Sequence, residues 1–227
     1  MTAPAVLFDL DGVLADSRAT ITRGTRAALA ERGHPDPGVA RIAAMIGPPL
    51  QVAYAELLGL DPADAEVAAC VGAYRARYRL LLHETPGFPG MAEALDALAA
   101  AGLRLGVATS KPLPFAEPVL AALGLRERFA VVEGPSFDGT EFKTATLGRA
   151  LAALGSGALA LVGDRSHDVE AAHAHGLVAV GVTWGIGTRA ELETAGADAI
   201  VDTPPALVEV VLALAGSNGR VAGARDG

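Results

Sequence analysis

The fold is decided by the stretch AVLFDLDGV at residues 5–13. An apolar run of this length is typical of a parallel strand that is buried on both faces. Residues i and i+2 of a strand point to the same side, so we expect Asp9 and Asp11 to converge at its carboxyl end, where open α/β sheets bind ligands. Two carboxylates about 4 Å apart repel by roughly 4 kcal/mol at an effective dielectric of about 20. A proton or a metal ion is therefore expected beside them.

A second pair of acids follows another apolar run, ALALVGD at residues 158–164. Asp164 ends this predicted strand, and Asp168 lies four residues on, in the first turn of the next helix. A carboxylate in a first turn suits the helix dipole, so a capping role would also explain Asp168. The recurrence of acids at a strand end weakens the alternative that Asp9 and Asp11 belong to an ordinary solvated turn.

Two further segments are candidates for holding a phosphate. Thr109 and Ser110 end a third apolar run and precede a proline, and the free N–H groups at a helix start bind anions. An ordinary helix start has the same sequence. Lys143 stands just ahead of a helical pattern, where its charge has the wrong sign for the helix dipole. That anomaly favours a functional role, although a solvated lysine also fits.

Taken in order and spacing, these four segments resemble the motifs of the haloacid dehalogenase superfamily of phosphatases across nearly the whole chain. The resemblance implies that Asp9 is the nucleophile that forms an aspartyl-phosphate and that Asp11 is the general acid/base. It also implies that Thr109 and Ser110 bind the phosphoryl group and that Lys143 steadies nucleophile and phosphate.

The resemblance further implies a Mg²⁺ ion, held by Asp9, by the backbone carbonyl of Asp11 and by Asp164, with Asp168 acting largely through water. Charge balance agrees, because four carboxylates would repel a phosphate dianion. Mg²⁺ and Lys143 supply three positive charges, and a proton on Asp11 removes one negative charge. An oxygen-rich ligand set also favours magnesium over zinc.

The chain divides into two regions with different sequence patterns. Residues 1–15 and 86–215 predict an α/β core with a doubly wound parallel sheet, because short apolar runs alternate with helical segments at 103–108, 129–132, 158–162, 178–182 and 199–201. Residues 16–85 have helical periodicity without a convincing strand, which predicts an inserted α-helical cap. In the resembled family this is the small C1-type cap. The Gly/Ala/Arg-rich tail, residues 216–227, is expected to be disordered.

Within the cap, the segment IGPPL at residues 46–50 is similar to one that faces the active site in phosphoglycolate phosphatase-like members. Arg41 precedes it and is a candidate for binding a substrate carboxylate or second phosphate. A solvated helix face would explain this arginine equally well. Arg165 and His167 lie beside the metal motif and are expected to contact the cap or support the site rather than to catalyse.

Composition limits the classes of partner. A net charge of −8 over 227 residues argues against nucleic acid and anionic membranes, but not against a small phosphorylated metabolite. The single cysteine, Cys70, makes a disulfide framework impossible. No segment reads as a secretory signal or a membrane span, so we expect a cytoplasmic protein. The sequence leaves a homodimer open.

The sequence thus predicts a Mg²⁺-dependent phosphomonoester hydrolase for a small metabolite, most like phosphoglycolate phosphatase. A 5'-nucleotidase and a sugar-phosphate mutase are alternatives within the enzyme class. A phospho-accepting, receiver-like signalling module shares the parallel sheet, strand-end aspartates and lysine. The inserted cap of about seventy residues favours the hydrolase, because a receiver is a single domain of ordinary size.

Overall fold

The computed structural model describes residues 3–137 and 141–222. Within these ranges six strands form one parallel sheet in the order β3-β2-β1-β4-β5-β6. The predicted doubly wound α/β fold is confirmed. The strands are β1 (Ala5–Phe8), β2 (Arg104–Ala108), β3 (Val131–Glu133), β4 (Ala158–Gly163), β5 (Val178–Val182) and β6 (Ala199–Val201).

Helices cover both faces of this sheet, which explains why its strands are continuous apolar runs. Val6 and Phe8 of β1 join one hydrophobic cluster, and Ala5 and Leu7 join the cluster on the other face. The helices are α1 (Arg18–Glu31), α2 (Val39–Ala44), α3 (Leu50–Leu58), α4 (Ala65–Arg79), α5 (Met91–Ala100), α6 (Leu113–Ala122), α7 (Lys143–Leu154), α8 (Ser166–Ala174), α9 (Arg189–Ala195) and α10 (Pro204–Ala222).

Strand boundaries differ from the predicted ones in two places. β1 ends at Phe8 because the chain turns at once: the N–H groups of Leu14 and Ala15 both donate to the carbonyl of Leu10, at 3.0 and 2.9 Å. β3 begins at Val131 rather than residue 129, because Phe129 closes a 3₁₀ turn by donating to Arg126. The other predicted strands agree to within one residue.

The helices α1–α4 lie between β1 and α5, as the helical periodicity of residues 16–85 predicts. The chain leaves the sheet and returns to it through adjacent segments: Ala15 forms an antiparallel bridge with Gly87, and the N–H of Asp16 donates to Pro86 at 2.9 Å. The division into a core and a cap domain stays a prediction. The two segments that connect the sheet to these helices lie at the predicted boundaries, near residues 15–16 and 85–86.

The carboxyl-terminal helix α10 runs to Ala222 and so enters the segment 216–227 that was expected to be disordered. Residues 223–227 of that segment lie outside the described ranges. Of the helices described here, none combines the length and the apolar character needed to cross a bilayer.

Candidate active site

Two neighbouring strands bring Asp9 and Asp164 together. β1 and β4 are paired in the sheet, and the N–H of Asp9 donates to Val162 at 2.9 Å. Asp9 and Asp164 therefore leave the sheet side by side at its carboxyl edge. Gly12 makes this approach possible: it has a φ of +86°, and a Cβ there would collide with the Asp164 carboxylate.

Lys143, the first residue of α7, lies between two of the carboxylates. Its Nζ is 2.6 Å from Oδ1 of Asp9 and 2.8 Å from Oδ1 of Asp168, and the lysine is only 3% exposed. These two ion pairs explain a positive charge at a helix amino end. Burial raises the pKa of Asp9 to about 6 although Lys143 opposes the rise, so Asp9 is mainly ionised at neutral pH.

Asp164 presents one free oxygen to the site. Its Oδ2 accepts hydrogen bonds from the N–H groups of Ile186 and Gly187 at 2.5 and 3.2 Å. Its buried Oδ1 has no hydrogen-bond partner among the described residues. Burial and the nearby charges of Asp168 and Asp9 raise the pKa of Asp164 to about 8. A buried carboxylate oxygen without a partner is costly unless a cation binds it.

Asp168 both caps a helix and belongs to the site, so the two interpretations of its sequence position are compatible. Its Oδ2 accepts from the N–H groups of Asp164 and Arg165, each at 3.1 Å, and its Oδ1 contacts Lys143. Burial alone would raise the pKa of Asp168, but Lys143, His167 and the hydrogen bond from the Arg165 N–H together outweigh burial and the pKa falls.

A divalent cation fits this set of side chains. Asp9, Asp164 and Asp168 each offer an oxygen, and these oxygens lie within 4.8 Å of one another. All are hard oxygen donors, as Mg²⁺ prefers. Together with the unpartnered Oδ1 of Asp164, the geometry suits the ion that the sequence predicted.

Asp11 is held by two groups, one of which sequence reasoning missed. Its Oδ2 lies 2.7 Å from Nζ of Lys111, and its Oδ1 accepts a hydrogen bond from the Ser17 hydroxyl. Lys111 is 7% exposed, and its ammonium lies 4.7 Å from the ring centroid of Tyr78 on α4. Burial lowers the pKa of Lys111, but Asp11 and Tyr78 together outweigh burial and raise it.

One feature of the composition could have identified Lys111 as a candidate site residue. Among 18 basic residues the chain has two lysines, Lys111 and Lys143, and 16 arginines. Both lysines are buried at this site. In a chain that uses arginine everywhere else, a lysine in a polar strand-end segment indicates a specific role.

Thr109 and Ser110 lie where the sequence places them, beside Asp9 and Asp11 on the cavity wall. The N–H of Thr109 donates to Glu133 at 2.9 Å, and its Oγ1 accepts from the N–H of Lys111 at 3.1 Å. Thr109 is thereby fixed at the end of β2.

The opposite wall of the cavity comes from the helices between β1 and α5 and is mainly apolar. The segment 46–50 faces the site as expected, through Ile46, Gly47, Pro48 and Leu50. Other side chains of this wall are Ile21, Thr25, Met45 and Tyr74, and the core adds Phe115 and Ile186.

The expected contact of Arg41 with substrate is wrong. Arg41 is exposed, donates to the carbonyl of Leu57 at 3.1 Å and borders a separate surface groove. The short helix α2 buries Ile42, and this orientation turns the neighbouring Arg41 away from the site.

Arg165 and His167 contact the cap, as the sequence indicated. Arg165 donates to Glu191 at 2.8 Å and to the carbonyl of Ile46, while a Cβ at Gly47 would meet the His167 ring. Burial lowers the pKa of His167, which keeps the imidazole neutral at physiological pH.

The chain is similar in sequence and in fold to known proteins. A model of the family described as haloacid dehalogenase-like hydrolase matches residues 6–182. The chain belongs to this family. Within it, a 5'-nucleotidase from Pseudomonas aeruginosa is 40% identical over 195 residues, which is 83% of this chain and 86% of that protein. A phosphoglycolate phosphatase from Yersinia pseudotuberculosis is 33% identical over 205 residues, 86% and 88% of the two chains.

A solved structure of this haloacid dehalogenase-like type also superposes closely. The crystal structure of a predicted phosphatase from Clostridium acetobutylicum has a TM-score of 0.87 and 30% identity, and the match covers 94% of this chain and all of that one. The fold and family are therefore shown, and the protein is a hydrolase.

Proposed function

We propose that this protein is a Mg²⁺-dependent phosphomonoester hydrolase that forms an aspartyl-phosphate on Asp9 and acts on a small metabolite like phosphoglycolate. The observation that carries the proposal is the setting of Asp9. It is buried, ion-paired with Lys143 at 2.6 Å, and its pKa of about 6 keeps it anionic at neutral pH. A carboxylate that is mainly ionised at working pH is a competent nucleophile.

Asp9, Asp164 and the backbone carbonyl of Asp11 would hold the Mg²⁺, with Asp168 behind them. When bound, Mg²⁺ withdraws charge from the phosphoryl oxygens and neutralises the carboxylates that would repel them. Lys143 adds a fixed positive charge to the same end of the site. Thr109 and Ser110 orient the phosphoryl group from the end of β2.

The chain's own groups account for both half-reactions. A carboxylate oxygen of Asp9 attacks phosphorus, the bond to the ester oxygen breaks, and Asp11 gives that oxygen a proton so that an alcohol leaves. Asp11 then takes a proton from the water that attacks the aspartyl-phosphate. Phosphate departs, and the Asp9 carboxylate is restored. The apolar wall limits the access of other water during these steps.

A nucleoside 5'-monophosphate is the second candidate substrate. The relative named 5'-nucleotidase supports it, with 40% identity over 83% of this chain. The cavity wall supports it too, because Tyr74, Phe115 and Leu50 offer aromatic and apolar surface for a base. Phosphoglycolate is favoured by the cation Lys111, which lines the same cavity.

The decisive experiment is phosphate release from a panel that includes phosphoglycolate, nucleoside 5'-monophosphates and sugar phosphates. We expect hydrolysis with Mg²⁺, loss of hydrolysis with excess chelator, and recovery when Mg²⁺ is added back. Full activity in chelator would contradict the metal, and release from no member of the panel would contradict the hydrolase.

Metal binding should also depend on pH. The pKa of Asp164 is about 8 in the folded protein and near 3.8 in an unfolded chain, so the metal-free protein binds extra protons and loses stability as pH rises from about 4 to 8. Mg²⁺ needs the ionised form, and its stabilisation should therefore be larger at pH 8 than at pH 6. Melting temperatures with and without Mg²⁺ measure this. An equal or larger shift at pH 6 would contradict it, and Asp164→Asn should remove the shift.

A further inference from the structure

We propose that Lys111 selects substrates whose leaving alcohol carries a carboxylate, by forming an ion pair with that carboxylate. The inference rests on the proposed function, because it assumes that a phosphoryl group is transferred to Asp9. The inference names the residue that recognises the rest of the substrate. Arg41 cannot do so from its position at the surface.

The position of Lys111 places it on the leaving-group side. Lys143 pairs with Asp9 and Asp168, next to the nucleophile. Lys111 pairs instead with Asp11, the carboxyl that protonates the departing oxygen, and its ammonium stacks over Tyr78 from α4. The two lysines thus pair with different reacting carboxylates, Lys143 with the nucleophile and Lys111 with the general acid. The carbon skeleton of the alcohol begins on the side of Lys111.

Lys111 needs a second anion when the site is working. Both oxygens of Asp11 are engaged, one by Lys111 and the other by the Ser17 hydroxyl. In the proposed step Asp11 presents Oδ2 to the ester oxygen, and Oδ2 then leaves Lys111. A lysine with 7% exposure that loses its anion carries a large desolvation cost. A carboxylate on the substrate would restore the pair at the moment when Asp11 turns to the ester oxygen.

Other basic side chains on the described cavity wall already contact neighbouring groups. Arg165 is held by Glu191 and by the carbonyl of Ile46. His167 is half-buried, and its ring lies against Gly47 of the cap. The cap side of the wall consists mainly of apolar groups such as Ile21 and Met45. Lys111 is accordingly the cation that a substrate carboxylate would meet.

The test compares two substrates that differ in one group. Phosphoglycolate carries a carboxylate where 2-hydroxyethyl phosphate carries a neutral hydroxymethyl group. Lys111→Met removes the charge and keeps the length of the side chain. We expect the ratio of kcat/KM for phosphoglycolate to kcat/KM for 2-hydroxyethyl phosphate to fall about ten- to a hundredfold, the usual worth of a charged hydrogen bond. Arg41→Met, which removes a positive charge outside the cavity, should leave the ratio unchanged.

Equal losses on both substrates, or no loss, would overturn the proposal, because Lys111 would then serve only Asp11 or the phosphoryl group. Lys111→Gln repeats the test with a polar side chain, and melting temperatures identify a variant that fails to fold. Hydrolysis of neither substrate by the natural protein would count against the proposed function instead.

Binding provides a readout that does not need turnover. In the Asp9→Asn protein with Mg²⁺, calorimetry gives Kd for both compounds. Adding Lys111→Met should weaken phosphoglycolate about ten- to a hundredfold and leave 2-hydroxyethyl phosphate nearly unchanged. Equal weakening of both compounds, or none, would overturn the inference even if the protein hydrolyses neither.

Discussion

The two sides of the cavity are built by different physical means. On the sheet side, Asp9, Asp168 and Lys143 are buried charges that hold one another in place. On the cap side, apolar and aromatic packing dominates: Tyr74 stacks on Tyr78 at 5.2 Å between ring centroids. Charge arrangements fix a group to a fraction of an ångström, whereas apolar walls tolerate a change of shape. The sheet side therefore suits the chemistry that all substrates share, and the cap side suits the part that varies.

The most severe test of this contrast is Asp9→Asn. Loss of the attacking charge should reduce kcat more than a hundredfold for every substrate, with little change in melting temperature. Phosphate release measures the first quantity and a thermal scan the second. More than about one percent of residual kcat in clean protein would contradict the nucleophile assignment.

Asp11→Asn should also act on all substrates, though less strongly. General acid-base catalysis contributes about 10²- to 10⁴-fold, so both formation and hydrolysis of the aspartyl-phosphate should slow by that order. Rapid-quench measurement of the phosphoenzyme separates the two steps. A loss below tenfold would argue against the acid/base role.

Lys143→Met should show how far the sheet side depends on charge. Asp9 and Asp168 would remain buried without their cation, and breaking such a pair typically costs about 3–5 kcal/mol. Urea unfolding without Mg²⁺ measures the loss. Arg77→Met is the control, because Arg77 pairs with Glu31 on the surface and exposed pairs are worth about 0–1 kcal/mol. Similar losses for both variants would contradict the contrast.

The smallest expected effect lies on the cap side. Gly72 is exposed in the middle of α4, and a Cβ there meets no atom within 4 Å. Gly72→Ala should raise the free energy of unfolding by about 0.5–1 kcal/mol and leave activity unchanged. Gly12→Ala is the opposite case, because a Cβ there collides with Asp164, and it should lower both stability and activity. Urea unfolding and phosphate release distinguish the two.

How far the sequence predicts this molecule follows the same division. Acids at strand ends are predictable for two reasons. A buried parallel strand is a continuous apolar run in the sequence, and open α/β sheets bind ligands at the carboxyl ends of their strands. Asp9 and Asp164 were predicted in this way, whereas Lys143 was predicted from a charge of the wrong sign at a helix start. Arg41 was misplaced because a six-residue helix has too few turns for its pattern to reveal which face is buried.

Lys111 was missed for a related reason. Lys111 lies two residues after Thr109, at the end of β2. The direction of its side chain depends on a turn, which is closed by the hydrogen bond from the Lys111 N–H to Thr109 Oγ1. Its partner Asp11 is 100 residues away in the chain. Such a contact depends on tertiary packing, which no local period encodes.

The placement of the two lysines has a practical consequence for spectroscopy. Because Lys111 and Lys143 are the chain's two lysines and neither is exposed, protein labelled with isotope in its lysine side chains would report from the cavity alone. One resonance would come from the lysine that pairs with Asp9 and the other from the lysine that pairs with Asp11. Binding of phosphate, of an alcohol or of a complete ester would then shift one signal, the other or both, which gives a direct record of where each part of a ligand lies.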